Sequence, residues 1–178
     1  MVYSNKSMDN FLLKNPENVF LTLLRVGVGF IMLWAFLDKL LGLGFATAPK
    51  DAWIKGGSPT LGFLKYGTNP NSPFASFFAW LANYSAILDP IYMATCLFVG
   101  ITLITGIAVR PGAIVGIIFM VSCYVALMPS TDNPLVDKHF MYTVLLLLLI
   151  VTNAGAYGWT LGRKWQNLSI VKKFPILK

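Results

Sequence analysis

The sequence predicts an all-α integral membrane protein whose helices form a four-helix bundle. Two observations support this prediction. Only 12% of the residues are charged whereas 56% are hydrophobic, and the apolar residues concentrate in four stretches, 19–44, 86–109, 112–128 and 139–159. At about 1.5 Å per residue, such stretches are long enough to cross a hydrocarbon core about 30 Å thick. Backbone amides in lipid must be paired internally, so each stretch is expected to be a helix.

The lysines and arginines predict how the bundle is oriented in the cell membrane. An orientation with the N-terminus inside puts Lys6, Lys14, Arg110 and the five cations of the tail 160–178 on the cytoplasmic side. Because cations in short loops and tails favour that side, the leading segment 1–18 and the tail are both expected inside, in an N-in/C-in, multi-pass arrangement. Residues 19–159 then form one membrane domain. The basic tail would meet anionic lipid headgroups, which makes membrane lipid the first expected partner.

The connection at 45–85 is expected to be a long structured loop on the outer side. It contains two turn signals, Gly56-Gly57-Ser58-Pro59 and Asn69-Pro70-Asn71-Ser72-Pro73, and many aromatic residues between and after them. A connection of this length and composition is unlike a flexible linker. Short helices at the membrane interface are therefore predicted, in a region where loops often carry function.

Composition also excludes several classes of function. The basic residues do not form a face with interleaved aromatics, which argues against a nucleic-acid partner. Cys96 and Cys123 are the two cysteines and His139 is the single histidine. No Cys-x-x-Cys or Cys–His cluster exists, so neither a metal site nor a haem is predicted from this chain. The two cysteines are expected either as small core residues or as a redox pair.

Arg25 is the ionisable residue deepest within a predicted span. It shares a helix face with Gly29, Met32 and Phe36. Two interpretations are open. Arg25 either packs against neighbouring helices or extends its side chain toward the inner headgroups.

Further ionisable residues are expected together at the outer ends of the spans. Asp38 and Lys39 end the first span, Asp137, Lys138 and His139 begin the fourth, and Asp89 begins the second. Asp137 is expected to cap its helix, while His139 is a candidate proton carrier or a structural residue. A small anion would be attracted by Lys39, Lys55 and Lys65. Trp53 could line a pocket for a quinone headgroup.

Three segments of the chain resemble DoxX-like and DoxD-like membrane proteins. They are Leu24-Arg25-Val-Gly27-Val-Gly29-Phe-Ile-Met-Leu-Trp34-Ala-Phe-Leu-Asp38-Lys39-Leu40, Trp53-Ile-Lys-Gly56-Gly57-Ser58-Pro59-Thr60-Leu-Gly62-Phe63-Leu64 and Asn133-Pro134-Leu-Val-Asp137-Lys138-His139. The second segment is most similar to the DoxD type. The resemblance extends over nearly the whole chain in order and in number of spans, and it implies a four-helix transmembrane bundle.

The resemblance implies a subunit of a thiosulfate:quinone oxidoreductase that oxidises thiosulfate to tetrathionate and passes the electrons to a membrane quinone. The expected partner is a small DoxA-like subunit on a separate chain. Under this interpretation, Asp38, His139, Cys96 and Cys123 are the catalytic candidates. Substrate or quinone would be bound by Arg25, Lys39, Trp53, Lys55 and Lys138. The alternative is a non-catalytic accessory or assembly subunit of a larger respiratory complex, so whether this chain is itself an enzyme stays open.

Overall fold

The computed structural model describes residues 16–130, 133–158 and 160–178, and every regular element in these ranges is helical. The all-helical prediction is therefore confirmed for the described chain. Most of the expected cytoplasmic segment 1–18 lies outside the described residues. Three helices are long and apolar enough to cross a membrane when the continuous helical run Ala75–Thr105 is counted as one, which indicates a multi-pass membrane protein.

Helix α1 is Pro16–Leu41, a 26-residue helix that begins three residues before the predicted span. Pro16 suits a helical first turn because its missing N–H would be unpaired there, and Glu17 faces the positive end of the helix dipole. The helix ends where Gly42 adopts a left-handed conformation, with φ of 67°.

The connection after α1 contains a series of short helical elements. They are the 3-10 turns Pro49–Asp51 and Trp53–Lys55, a π-helical turn Phe63–Gly67, helix α2 at Ala75–Leu81, and a 3-10 turn Ala82–Tyr84. The Trp53–Lys55 turn packs against α1. The connection therefore folds back over the end of the first helix.

Helices α3, Ser85–Thr105, and α4, Val109–Leu127, form a tight antiparallel pair. The turn between them lies earlier than predicted, since Gly106 ends α3 in a left-handed conformation and Ala108 has φ of 52°. Arg110 and Pro111 consequently lie in the first turn of α4, where a proline is tolerated. Gly112 faces Thr102, and a Cβ at Gly112 would lie 2.8 Å from the Thr102 Cβ, so the small residue permits this close approach.

Helix α5, Lys138–Val151, has 14 residues and is shorter than the predicted span 139–159. Its length is about 21 Å, less than the roughly 30 Å of a hydrocarbon core. After Val151 the chain turns, because Asn153 takes a left-handed conformation with φ of 51°, and a 3-10 turn Ala154–Ala156 follows. Asn is one of the few residues that tolerate this backbone geometry.

The long helices pack in chain order around the larger of two apolar clusters. α3 packs along both α1 and α4, and α4 packs along α5, whereas α1 and α5 touch only slightly. Close contacts of Gly29 with Leu103 and of Gly100 with Leu33 show that α1 and α3 run antiparallel. The buried core residues are Val28, Met32, Cys96, Val99, Leu103, Val109, Ala113, Met120, Leu146, Leu149 and Ala154.

Candidate functional site

Three buried or nearly buried carboxylates lie where α1 ends and where α3 and α5 begin. We call this region the aspartate end; it comprises Asp38, Asp89, Asp137 and the residues bonded to them. The sequence predicted a candidate site at this end, with the same three aspartates close to one another. Each carboxylate has its own set of partners.

Asp38 organises the chain immediately after α1. Its side chain is 2% exposed and accepts hydrogen bonds from the backbone N–H groups of Phe45, at 3.3 Å, and Ala46, at 3.0 Å. These two hydrogen bonds hold the carboxylate in the turn that follows the helix. They favour a structural role for Asp38 over the catalytic role that the resemblance implies.

Asp89 holds the long connecting segment 45–85 against the start of α3. Its Oδ1 accepts hydrogen bonds from Ser58 Oγ at 2.9 Å, Thr60 N at 3.0 Å and Thr60 Oγ1 at 2.6 Å. The sequence placed Asp89 at this end but did not identify Ser58 and Thr60 as its partners. A Ser-Pro-Thr turn offers two hydroxyls and a backbone amide, and that local signal could have suggested an acidic acceptor.

Asp137 and His139 form a pair at the start of α5. Asp137 Oδ1 accepts the Phe140 N–H at 2.9 Å and caps the helix, as predicted. Its other oxygen, Oδ2, lies 2.7 Å from His139 Nδ1. Partial burial by itself would raise the pKa of Asp137, but the hydrogen bonds from His139 and Phe140 outweigh that effect and hold the pKa below its ordinary value.

The Asp137–His139 geometry is suitable for proton exchange. With Nδ1–H donating to the carboxylate, Nε2 is the ring nitrogen that can give or take a proton. The His139 side chain is 13% exposed, and its neighbour Lys138 is exposed. This pair is the part of the aspartate end best suited to acid–base chemistry.

The two cysteines are free thiols on neighbouring helices, with Cys96 in the middle of α3 and Cys123 in the last part of α4, near the aspartate end. Cys96 on α3 is buried, and Cys123 on α4 is half-buried. Tyr92 lies on α3 one turn before Cys96 and interacts with both thiols. Sequence reasoning missed Tyr92, although its spacing of four residues from Cys96 places the two on one helix face. Tyr92 also packs edge-on against Phe119, with ring centroids 5.6 Å apart.

Some of the predicted binding residues approach this end, whereas Lys65 and Arg25 do not. Lys39 is half-buried in the last turn of α1, and Lys138 is exposed at the start of α5. Trp53 is half-buried and Lys55 is exposed, in the turn that packs against α1. Lys65 instead lines a groove of about 390 Å³ formed by residues 64–79.

Arg25 is remote from the aspartate end. It lies 13 positions before Asp38 on α1, about 20 Å along the helix. It is 0% exposed, and its guanidinium donates to the backbone carbonyls of Leu103 and Ile104 at the end of α3. Of the two interpretations from the sequence, packing against a neighbouring helix is the one observed. Arg25 does not share a site with Asp38, His139 or the cysteines.

Comparisons with protein-family models, with curated proteins and with solved structures give no match for this chain. Among the described residues, no group of three or more His, Cys, Asp or Glu side chains could hold a metal ion.

Proposed function

We propose that this chain is a DoxD-like membrane subunit of a thiosulfate:quinone oxidoreductase, with its chemistry at the aspartate end. Its partner would be a small DoxA-like subunit. In this proposal the chain spans the cell membrane four times with both ends in the cytoplasm. Helix α5 and the turn after it form the fourth span, and residues 45–85 lie outside. The substrate and the partner come from the sequence resemblance, and the Asp137–His139 pair is the observation that carries the proposal.

The overall reaction requires electrons and protons to reach the quinone together. Two thiosulfate ions lose one electron each and join through a new S–S bond as tetrathionate, while a quinone takes up two electrons and two protons to become a quinol. His139 supplies a proton through Nε2, and Asp137 holds the ring orientation through the 2.7 Å contact at Nδ1. Electron transfer is assigned to the separate partner.

The cations of the same end supply the attraction for a dianionic substrate. Lys39 lies in the last turn of α1 and Lys138 is the first residue of α5, so two helices contribute positive charge to the aspartate end. Lys55 extends the basic surface along the connecting segment. Clustered charge of this kind raises the local concentration of an anion and accelerates its association.

The cysteines have a packing role in this proposal. Cys96 is 1% exposed and lies in the apolar core with residues such as Met120 and Val99. A buried thiol in apolar surroundings is disfavoured as a thiolate and is therefore a weak nucleophile. A Cys96→Ala/Cys123→Ala variant is expected to retain turnover.

The proposal is tested by thiosulfate-dependent reduction of a soluble quinone analogue, using the protein purified together with its native partners. His139→Gln should lower kcat by about 100-fold, the effect of losing a general acid. Lys39→Gln should raise KM for thiosulfate and leave kcat nearly unchanged. Lys164→Gln, an exposed tail lysine, is the matched charge control and should alter neither constant.

A non-catalytic accessory subunit is the competing function, and one observation favours it. The buried charges Arg25, Asp38 and Asp89 are all engaged in holding helices and turns together. Under that alternative, the complex would turn over at the wild-type rate with His139→Gln. Such a result, in a variant that still assembles, would reject the catalytic proposal.

A further inference from the structure

The charged side chains of the segment 160–178, here called the C-terminal collar, are all positive. The collar contains Arg163, Lys164, Lys172, Lys173 and Lys178, and there is no acidic residue anywhere in 138–178. Arg110, at the start of α4, contacts the collar and adds another cation. The aspartate end, by contrast, mixes its lysines with carboxylates.

Apolar side chains project from the collar between these cations. The exposed fractions are 52% for Leu161, 46% for Leu168, 56% for Ile170, 50% for Phe174 and 56% for Ile176. A purely solvated basic tail would not be expected to present so many large apolar groups. Alternation of cations with exposed apolar groups is typical of segments that lie in the interface of a bilayer.

The collar is fixed to the turn between α3 and α4. Arg110 donates its backbone N–H to Lys178 O at 2.7 Å and its Nη1 to Pro175 O at 3.0 Å. Within the collar, Trp165 Nε1 donates to Leu177 O at 2.6 Å, and the side chain of Val171 is fully buried. These contacts hold the collar at the level where two long apolar helices meet, so its exposed side chains face the edge of the proposed membrane.

We infer that the C-terminal collar binds the headgroups of anionic lipids. The apolar side chains enter the boundary between headgroups and acyl chains, and the lysines extend toward lipid phosphates. An acidic protein surface would match the charge but not the isolated apolar groups distributed between the cations. The bilayer satisfies both features at once.

The experiment compares nanodiscs of phosphatidylcholine with nanodiscs of equal parts phosphatidylcholine and phosphatidylglycerol. A single cysteine replaces Ile170 in the full chain, with both native cysteines changed to alanine, and its rate of labelling by a water-soluble maleimide is measured. Ile54→Cys, a residue of similar exposure in the connecting segment, is the control position. Two triple variants then test the charges: Lys164→Gln/Lys172→Gln/Lys173→Gln in the collar, and Lys50→Gln/Lys55→Gln/Lys65→Gln outside it.

Labelling at position 170 should be about tenfold slower in the anionic discs, and high salt should remove the difference. The collar triple variant should also remove it, and the other triple variant should preserve it. Position 54 should show no dependence on lipid charge. Equal rates at position 170 in both lipids, or a difference that survives loss of the collar lysines, would overturn the inference and leave an acidic protein partner as the occupant to seek.

Discussion

The two ends of the bundle satisfy buried charge in opposite ways. Near the collar, buried Arg25 donates to the carbonyls of Leu103 and Ile104 at the end of α3. At the aspartate end, Asp38 and Asp137 accept backbone N–H groups. The end of a helix presents carbonyls without intrahelical partners, and the start of a helix or a turn presents such amides. A cation therefore suits the first environment and an anion suits the second.

The comparison also distinguishes a structural residue, Arg25, from a candidate catalytic residue, His139. Arg25 is fully enclosed, so it can stabilise the helix pair but cannot meet a substrate. His139 is partly exposed beside a carboxylate, so it can exchange a proton. Four predictions on stability test the structural roles at the two ends, from the largest expected effect to the smallest.

Replacing Arg25 should have the largest effect on stability. Arg25→Met keeps an apolar side chain of similar length but leaves the α3 carbonyls without their charged donor. We expect the free energy of unfolding to fall by about 3 kcal/mol, the upper range for hydrogen bonds to a charged group. Denaturation in detergent micelles would measure it. Lys164→Met removes one exposed charge and should change stability by less than about 0.5 kcal/mol; equal losses in the two variants would contradict the role assigned to Arg25.

Removing Asp89 should release the long connection from α3. Asp89→Ala leaves Ser58 and Thr60 without their shared acceptor, and we expect a loss of about 2 kcal/mol. Limited proteolysis should then cut more rapidly within residues 56–70. Asp51→Ala is the control because Asp51 is an exposed carboxylate in the same connection. Unchanged proteolysis in Asp89→Ala would show that the connection is held by other contacts.

The sequence predicted the all-helical class and the three long apolar helices because apolar length and helix-end residues are local signals. The long apolar stretches correspond to α1, α3 and α4, and the cap at Asp137 follows from its position before a helix. The end of α3 was misplaced by four residues, since the left-handed conformation at Gly106 outweighed the apolar residues that follow it. Val151 was not recognised as the end of α5 for the same reason, as the turn at Asn153 interrupts an otherwise apolar stretch.

The candidate site was less predictable because its partners are distant in sequence. Asp89 bonds to residues 29 and 31 positions away, and Arg25 bonds to carbonyls 78 and 79 positions away. Periodicity places such residues on a helix face but does not identify what faces them. The two interpretations of Arg25 were equivalent until the packing of α1 on α3 decided between them.

Two helix glycines provide a third prediction. Gly112→Ala should lower stability by about 1.5 kcal/mol, because the added Cβ would overlap Thr102 between α3 and α4. Gly27→Ala meets open space on α1 and should stabilise the protein by about 0.5 kcal/mol through helix propensity. Both are measured by the same denaturation. If both variants change the free energy of unfolding in the same direction, the close approach of α3 and α4 at Gly112 does not limit the size of the residue there.

The smallest effect concerns pH and Asp137. Because folding lowers the pKa of Asp137, its ionised form stabilises the fold. That contribution is present above about pH 4, the ordinary range of a carboxyl group, and is lost as the pH falls through the lower folded pKa. Asp137→Asn keeps a cap acceptor and should cost less than about 1 kcal/mol near neutral pH. Thermal unfolding of both proteins between neutral and acidic pH should show a weaker acid dependence in Asp137→Asn; identical profiles would mean that Asp137 does not contribute.

The most direct test measures stability and turnover together in Arg25→Met and His139→Gln, each in the purified complex. Arg25→Met should unfold more easily, while its folded fraction reduces the quinone analogue at the wild-type rate. His139→Gln should unfold like the wild type and lose about 99% of its thiosulfate-dependent turnover. Normal turnover in His139→Gln, or loss of turnover per folded molecule in Arg25→Met, would contradict the structural role assigned to Arg25 and the catalytic role assigned to His139.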